Sequence, residues 1–209
     1  MRLKLPAGLF QAYLFDCDGT IADSMPLHYI AWKTALAEWG CEFTEDLFYA
    51  WGGMSVAQII TTLNEERGLK MPVAEVGRRK EQLYFENLPE LKAVAEVLEC
   101  VEAGYGRIPL AVVSGSTRDS VTATLGALKI LDRFATLVCA GDYTKSKPDP
   151  EPFLMAAKRL GVVPERCLVF EDSDMGIQAA TTAGMASVRI LQPWERARAM
   201  RAATEPITS

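Results

Sequence analysis

QAYLFDCDGT, residues 11–20, decides the fold: an apolar run ends on two aspartates one residue apart, Asp16 and Asp18, and turns at Gly19. Similar short apolar runs stop at polar or glycine-rich corners in IPLAVVSGS (108–116), TLVCAGD (136–142), CLVFEDS (167–173) and ASVRIL (186–191). IPLAVV and CLVF lack strict polar alternation, which predicts strands covered on both faces by helices. Helical spacing in EPFLMAAKRLG and MGIQAATTAGM separates the later runs, with Gly161 and Gly184 where C-terminal caps belong and Asp149-Pro150 where a helix starts. This alternation predicts an α/β fold with a parallel sheet core flanked by helices.

Between Ser24 and Leu88 the pattern changes, with helical segments and no convincing strand. Leu27, Ile30, Ala31, Thr34, Ala35 and Glu38 predict a half-buried helix that starts near Ser24 and Pro26 and stops at Gly40. Two more are expected over 56–67 and 73–87. An all-helical insert after the first strand reads as a small separate domain over the carboxyl edge of the sheet, where open α/β sheets place their sites.

The polar clusters all follow predicted strands: Asp16 and Asp18 after the first, Ser114 after the second, Lys147 in the loop beyond the third, Glu171 and Asp172 after the fourth. A parallel sheet brings those ends together. Carboxylates gathered there can share a hard divalent cation through oxygen, with Mg²⁺ the choice for a phosphate substrate, and Lys147 adds positive charge. Taken singly, each motif is more modest, since a DG pair is a common turn and a serine after a strand a common helix cap. Asp174 is expected to be a solvated turn carboxylate, and strand alternation turns Cys17 away from the site.

In their order, DCDGT, VVSGS, KSKPDP and FEDSDMGIQAATTAG resemble the motifs of the haloacid dehalogenase superfamily. The resemblance implies a Rossmann-like core, residues 1–23 and 89–209, and a helical cap domain, residues 24–88. It implies Asp16 as the nucleophile that forms an aspartyl-phosphate and Asp18 as the acid and base. Ser114, with the backbone at Gly115 and Ser116, would hold the phosphoryl oxygens, and Lys147 would neutralise charge. The implied Mg²⁺ ligands are Asp16, Asp18 through its carbonyl, and Asp172, with Glu171 a ligand or the partner of one.

Within the superfamily, Asp18 speaks against dehalogenases, and WGGMSVAQII, with no lysine, against phosphonate hydrolases. DSMPLHYIAWKTALAEWG is similar to the cap entry of beta-phosphoglucomutases and related sugar phosphatases. His28 is the only histidine of the chain, and the resemblance puts it beside Asp18 at the leaving hydroxyl, with Lys80 as a second cap residue for substrate. Val56 stands where mutases carry an arginine soon after the glycine turn, which favours hydrolysis. A proline-glycine turn common in relatives is replaced here by LPELKAVAEVLE. The expected activity is a Mg²⁺-dependent phosphatase of a small phosphorylated metabolite such as a sugar phosphate; a hexose-phosphate mutase and a non-catalytic metabolite-binding protein are the alternatives.

The totals agree. With 209 residues the chain can bury one substantial core, and a formal charge of −5 argues against nucleic acid as a partner. Five scattered cysteines without a CxxC pair suggest neither zinc nor a disulfide framework. No leader peptide and no run of apolar residues long enough to span a membrane is read, so a cytoplasmic monomer is expected.

Overall fold

A computed structural model of the chain describes residues 3–51, 54–192 and 195. Its five strands are β1 (Ala12–Phe15), β2 (Leu110–Thr117), β3 (Thr136–Ala140), β4 (Cys167–Glu171) and β5 (Ala186–Arg189). They form one parallel sheet in the order β3-β2-β1-β4-β5, and each falls on a run read from the sequence. The first strand is therefore central, with the chain winding outward to either side of it. The carboxyl end of β1 is the switch point at which such sheets bind ligands.

Four helices cover the sheet: α5 (Ala95–Gly104) and α6 (Arg118–Ala127) on one face, α7 (Glu151–Leu160) and α8 (Asp174–Thr182) on the other. Phe15 and Cys17 point into the first layer with Val97, Val101, Val121 and Leu125, while Ala12 and Leu14 point into the second with Phe153, Ala156, Ala157, Ala179 and Ala180. This double burial explains why β1 shows no polar alternation. Phe15 and Phe170 are register partners on β1 and β4, and their rings stack at 4.5 Å. Cys17 is fully buried there, turned from the site as alternation predicts.

The segment after β1 holds α1 (Met25–Ala37), α2 (Glu45–Ala50), α3 (Val56–Arg67) and α4 (Val73–Asn87), followed by a 3-10 turn over Leu88–Glu90. The expected bounds 56–67 and 73–87 are met. α2 has no counterpart in the sequence pattern; its single turn and a half is too short to show periodicity, although Thr44 caps it by accepting from the Leu47 amide at 3.3 Å. α1 starts and stops near where expected, but its buried side differs: Ile30 is 46% exposed, Thr34 and Glu38 are exposed, and Trp32 and Leu36 are buried. The reason is that α1 serves two apolar clusters at once. Trp32 and Leu36 join Phe43, Ile60 and Leu63, whereas Leu27, Ala31 and Ala35 join Leu83 and Tyr84. Two adjacent stripes are covered, and a single-stripe reading misplaces the boundary.

The two chain crossings between insert and sheet lie side by side, joined by Asp23 N–H to Lys92 O and Val94 N–H to Ile21 O, both 2.9 Å. This backbone pairing and the 3-10 turn over Leu88–Glu90 form the return from the insert, in the stretch LPELKAVAEVLE. Gly52 and Gly53, residues 193–194 and those beyond 195 lie outside the described residues. No helix among the described residues is long and apolar enough to cross a membrane.

Candidate active site

Two carboxylates leave the end of β1 in opposite surroundings. Asp16, 8% exposed, receives the Lys147 ammonium on Oδ1 at 2.6 Å. Asp18 receives Ser24 Oγ at 2.7 Å and lies 3.0 Å from His28 Nε2, both on Oδ1, while Ser116 Oγ donates to Oδ2 at 2.7 Å. Burial pushes the Asp16 carboxyl well up, and Glu171 and Asp172 add to this against the pull of Lys147. Burial acts the same way on Asp18, yet the charge and hydrogen bond of His28 and the bonds from Ser116 and Ser24 outweigh it and hold this carboxyl below the usual range. One residue apart, the two acids are tuned in opposite directions.

Lys147 is completely engaged. Its three N–H donors go to Asp16 Oδ1, Glu171 Oε1 at 2.7 Å and the Val113 carbonyl at 3.0 Å, and burial, which would lower its pKa, is overridden by the two carboxylates. Glu171, 1% exposed, spends its other oxygen on the Ser173 amide and hydroxyl at 2.7 and 2.9 Å. Gly176 makes room for it, because a Cβ at that position would lie 1.8 Å from Glu171 Oε1. Both Glu171 oxygens are thus taken up within the protein, an arrangement suited to orienting Lys147 rather than to ligating an ion.

Asp172 accepts from Thr20 Oγ1 at 3.2 Å and from Gln192 Nε2 at 2.8 Å, and the same Gln192 amide donates to the Gly19 carbonyl at 2.8 Å. Gly19 has φ +80°, and a Cβ there would sit 2.4 Å from Asp172 Oδ2, so only glycine lets this carboxylate approach the backbone turn after Asp18. Burial first, then Glu171, raise the Asp172 carboxyl to about 7. Lys147 is bonded to Asp16 and Glu171 while Asp172 accepts from the neutral Thr20 and Gln192, and the Asp16 and Asp172 carboxyls are pushed toward protonation. An oxygen-only donor set short of positive charge fits a hard divalent cation. As the side chains stand, no three acidic, histidine or cysteine groups among the described residues converge on one ion.

Ser114 lies inside β2 rather than just past it, at an irregularity where the pairing with β3 shifts between Val113 and Thr117. It accepts from the Ser116 amide at 3.0 Å. The helix that follows starts past Gly115 and Ser116, at Arg118, with Thr117 as its cap, accepting from the Ser120 amide at 3.3 Å. Ser24, placed at a helix start, makes no capping bond with its side chain because its hydroxyl is spent on Asp18.

The insert contributes His28 and Lys80. His28 is 8% exposed, so it is no solvated helix residue, and its ring stacks on Tyr84 at 4.0 Å and 10°. Burial and then Lys80 lower its pKa, against the opposing influence of Asp18. With a carboxylate as acceptor, Nε2 carries the proton and donates, leaving the buried Nδ1 without a partner. Lys80, 4% exposed, is held by Glu81 Oε1 at 2.9 Å beside the rings of Trp32 and Tyr84. Val56 packs against α4 at Gly77. Asp174 pairs with Arg189 and is 97% exposed, the solvated carboxylate expected. Sequence reading missed Ser24 and Ser116 as partners of Asp18, Thr20 and Gln192 as partners of Asp172, and Gly176 and Tyr84.

Residues 13–190 match the model of the haloacid dehalogenase-like hydrolases. The chain is 33% identical over 87% of its length to fructose-1-phosphate phosphatase YqaB of Escherichia coli, of which it covers 96%. It is 32% identical over 84% of its length to a phosphorylated carbohydrates phosphatase of Thermotoga maritima, of which it covers 82%. Among solved structures it is similar to beta-phosphoglucomutase of Clostridium difficile, with a TM-score of 0.73 and 28% identity over 85% of this chain and 83% of that one.

Proposed function

Because this chain belongs to the haloacid dehalogenase-like hydrolases and is a phosphatase, we propose that it hydrolyses a small sugar phosphate, with Mg²⁺, through a phosphoryl group carried on Asp16. The observation that carries the reading is the division of partners at the end of β1, where Asp16 lies on the Lys147 ammonium while Asp18 is held by Ser24, Ser116 and His28. Hydrolysis by way of a covalent intermediate needs a nucleophile at one carboxylate and a proton carrier at the other. Fructose 1-phosphate, the substrate named for the Escherichia coli relative, is the first to try.

Lys147 holds Asp16 Oδ1, and Oδ2 attacks phosphorus in line, forming the Asp16 O–P bond as the bond to the sugar oxygen breaks. The leaving oxygen takes a proton from the Asp18–His28 pair. In the free protein Asp18 is ionised, but a phosphate dianion placed beside the pair raises its proton affinity, so the pair enters the step with one extra proton shared across 3.0 Å. Water then attacks phosphorus, gives its proton to Asp18, and releases phosphate and the Asp16 carboxylate. Ser114 and the amides at Gly115 and Ser116 bind the phosphoryl oxygens, the Ser116 amide exchanging its bond to Ser114 for one to phosphate. Asp16, the Asp18 carbonyl and Asp172 would hold Mg²⁺, which would supply positive charge to the phosphoryl oxygens; Glu171 orients Lys147 instead. Residues 24–88 act as a cap that supplies the sugar contacts, and Val56 adds no charge there for a second phosphate, which favours hydrolysis over mutase chemistry.

Inorganic phosphate release across a panel of sugar phosphates, with and without Mg²⁺, tests the reading. Conversion of one hexose phosphate to its isomer, activated by a bisphosphate, would instead establish a mutase, and binding without turnover a metabolite sensor. Asp172 gives a sharper test. A carboxyl raised to about 7 keeps its proton in the folded state, so its contribution to stability falls as pH rises toward 7, whereas a divalent ion binds the ionised form. Mg²⁺ should therefore raise the Tm more at pH 8 than at pH 5.5, and Asp172→Ala should lose most of that gain. An equal gain in the variant removes Asp172 from the ligand set.

His28→Ala and Lys80→Ala should each lower kcat/KM for the best sugar phosphate about ten-fold or more, the scale of one or two kcal/mol of transition-state contact. Acetyl phosphate needs little leaving-group protonation and offers no sugar hydroxyls, so its turnover should fall much less. Equal losses on both substrates point to a defect of closure or folding.

A further inference from the structure

Tyr84 and Thr124 make a polar contact where an apolar one would serve stability as well. Tyr84 lies on α4 of the insert and Thr124 on α6 of the sheet layer; they are 0% and 1% exposed, and their hydroxyls meet at 2.7 Å. A buried hydroxyl pair contributes little net stability, while loss of one partner strands the other. What it does supply is direction, since it forms only in one seating of α4 on α6. The Tyr84 phenol is pushed up by burial and by Asp18, so it remains a neutral hydroxyl.

The same tyrosine ring lies flat on His28 at 4.0 Å, and His28 reaches Asp18 at 3.0 Å. Thr124, Tyr84, His28 and Asp18 thus form a chain that leaves the sheet domain, crosses two helices of the insert and returns to the site. Lys80, whose ammonium lies 5.5 Å from the Tyr84 ring centre, and Glu81, which holds it, flank this chain. A shift of the insert that breaks the Tyr84–Thr124 bond also carries the support of the imidazole away from Asp18.

We propose that Tyr84 is a positioning residue, which holds His28 on Asp18 only while its hydroxyl is seated on Thr124. The inference rests on the reading of Asp18 as the proton carrier. Its contact with the substrate is indirect, through His28, so its signature is a loss of leaving-group chemistry that packing alone does not repair.

The test uses Tyr84→Phe, Thr124→Val, the double variant and Thr124→Ser in the full chain. Tyr84→Phe leaves the Thr124 hydroxyl unpaired and should lower the Tm; the double variant makes the contact apolar and should recover it. The kcat/KM for the best sugar phosphate should fall about three- to ten-fold in Tyr84→Phe, the scale of one hydrogen bond, and should stay low in the double variant. Thr124→Ser keeps a hydroxyl and should retain wild-type values. Because His28 is the only histidine, its ring resonances can be read without ambiguity. In the substrate-free protein, Tyr84→Phe and the double variant should move them toward those of Asp18→Asn, which marks an imidazole without its carboxylate. Ring resonances unchanged from wild type, or full recovery of kcat/KM in the double variant, would overturn the proposal. The resonance measurement needs no turnover, so it decides the role of Tyr84 even if no sugar phosphate is hydrolysed.

Discussion

Asp16→Asn should abolish phosphate release while leaving the fold as stable as before, or more so. An amide is too weak a nucleophile to take the phosphoryl group, and no neighbouring carboxylate can replace it: Glu171 is bound to Lys147 and Ser173, Asp172 to Thr20 and Gln192. The stability result follows from charge. Asp16 and Glu171 share Lys147, and Asp16 is pushed well up chiefly by its own burial, so its ionised form is a burden on the folded state that grows as pH rises toward its folded pKa. Removing that charge should hold or raise the Tm at pH 8, with less effect at pH 5. Phosphate release and thermal melts on the same preparation check both halves, with mass spectrometry excluding deamidation back to aspartate. Retention of more than a few per cent of the rate by Asp16→Asn protein free of deamidation would remove Asp16 as nucleophile. A large fall in Tm would show instead that the residue holds the site together.

The sheet was legible because its signals are local. YLF before Asp16, CLVF before Glu171 and the helical spacing over 73–87 each state their element within a few residues, and the polar corners at the strand ends followed once the strands were placed. What stayed hidden depends on distance along the chain. Ser116 reaches Asp18 across 98 residues and Tyr84 reaches Thr124 across 40, and no period carries such a pairing. Ser24 misled for a related reason: a serine before a helix has two uses for its hydroxyl, and only the fold shows Asp18 near enough to claim it. Gly176 had a faint signal, a glycine in the first turn of a helix directly after an acidic strand end, which reads as a space left for a carboxylate once Glu171 is seen against it. Ile30 shows the limit of periodicity itself, since a helix shared by two clusters has no single buried stripe.

Lys147→Met should have the second large effect, and on stability as well as rate. The methionine keeps the stem packed beside Phe153, whose ring centre lies 5.0 Å from the ammonium, so the loss is of charge and of three donors rather than of volume. Breaking a buried pair by removing one partner costs about 3–5 kcal/mol, because the remaining charge stays in a poor solvent. Here two carboxylates are left, Glu171 at 1% exposure and Asp16 at 8%. Asp16 is already pushed up with Lys147 present, and without it the folded-state pKa rises further. The folded variant then holds a proton that the unfolded chain has lost above about pH 4, so its stability declines as pH rises and the gap to wild type widens between pH 5 and pH 8. Urea midpoints at those two pH values read the gap directly; an equal gap at both would mean that the ammonium is not what compensates these acids. Turnover should fall about a thousand-fold or more, since charge gathering on phosphate and on Asp16 loses its fixed cation. Adding Glu171→Gln separates the two roles. Neutralising the stranded partner should return part of the stability at pH 8, yet it restores no positive charge to the phosphoryl group, so activity should stay lost. If activity returns with stability, Lys147 serves only to hold Glu171, and the neutralisation of phosphate must be assigned elsewhere in the site.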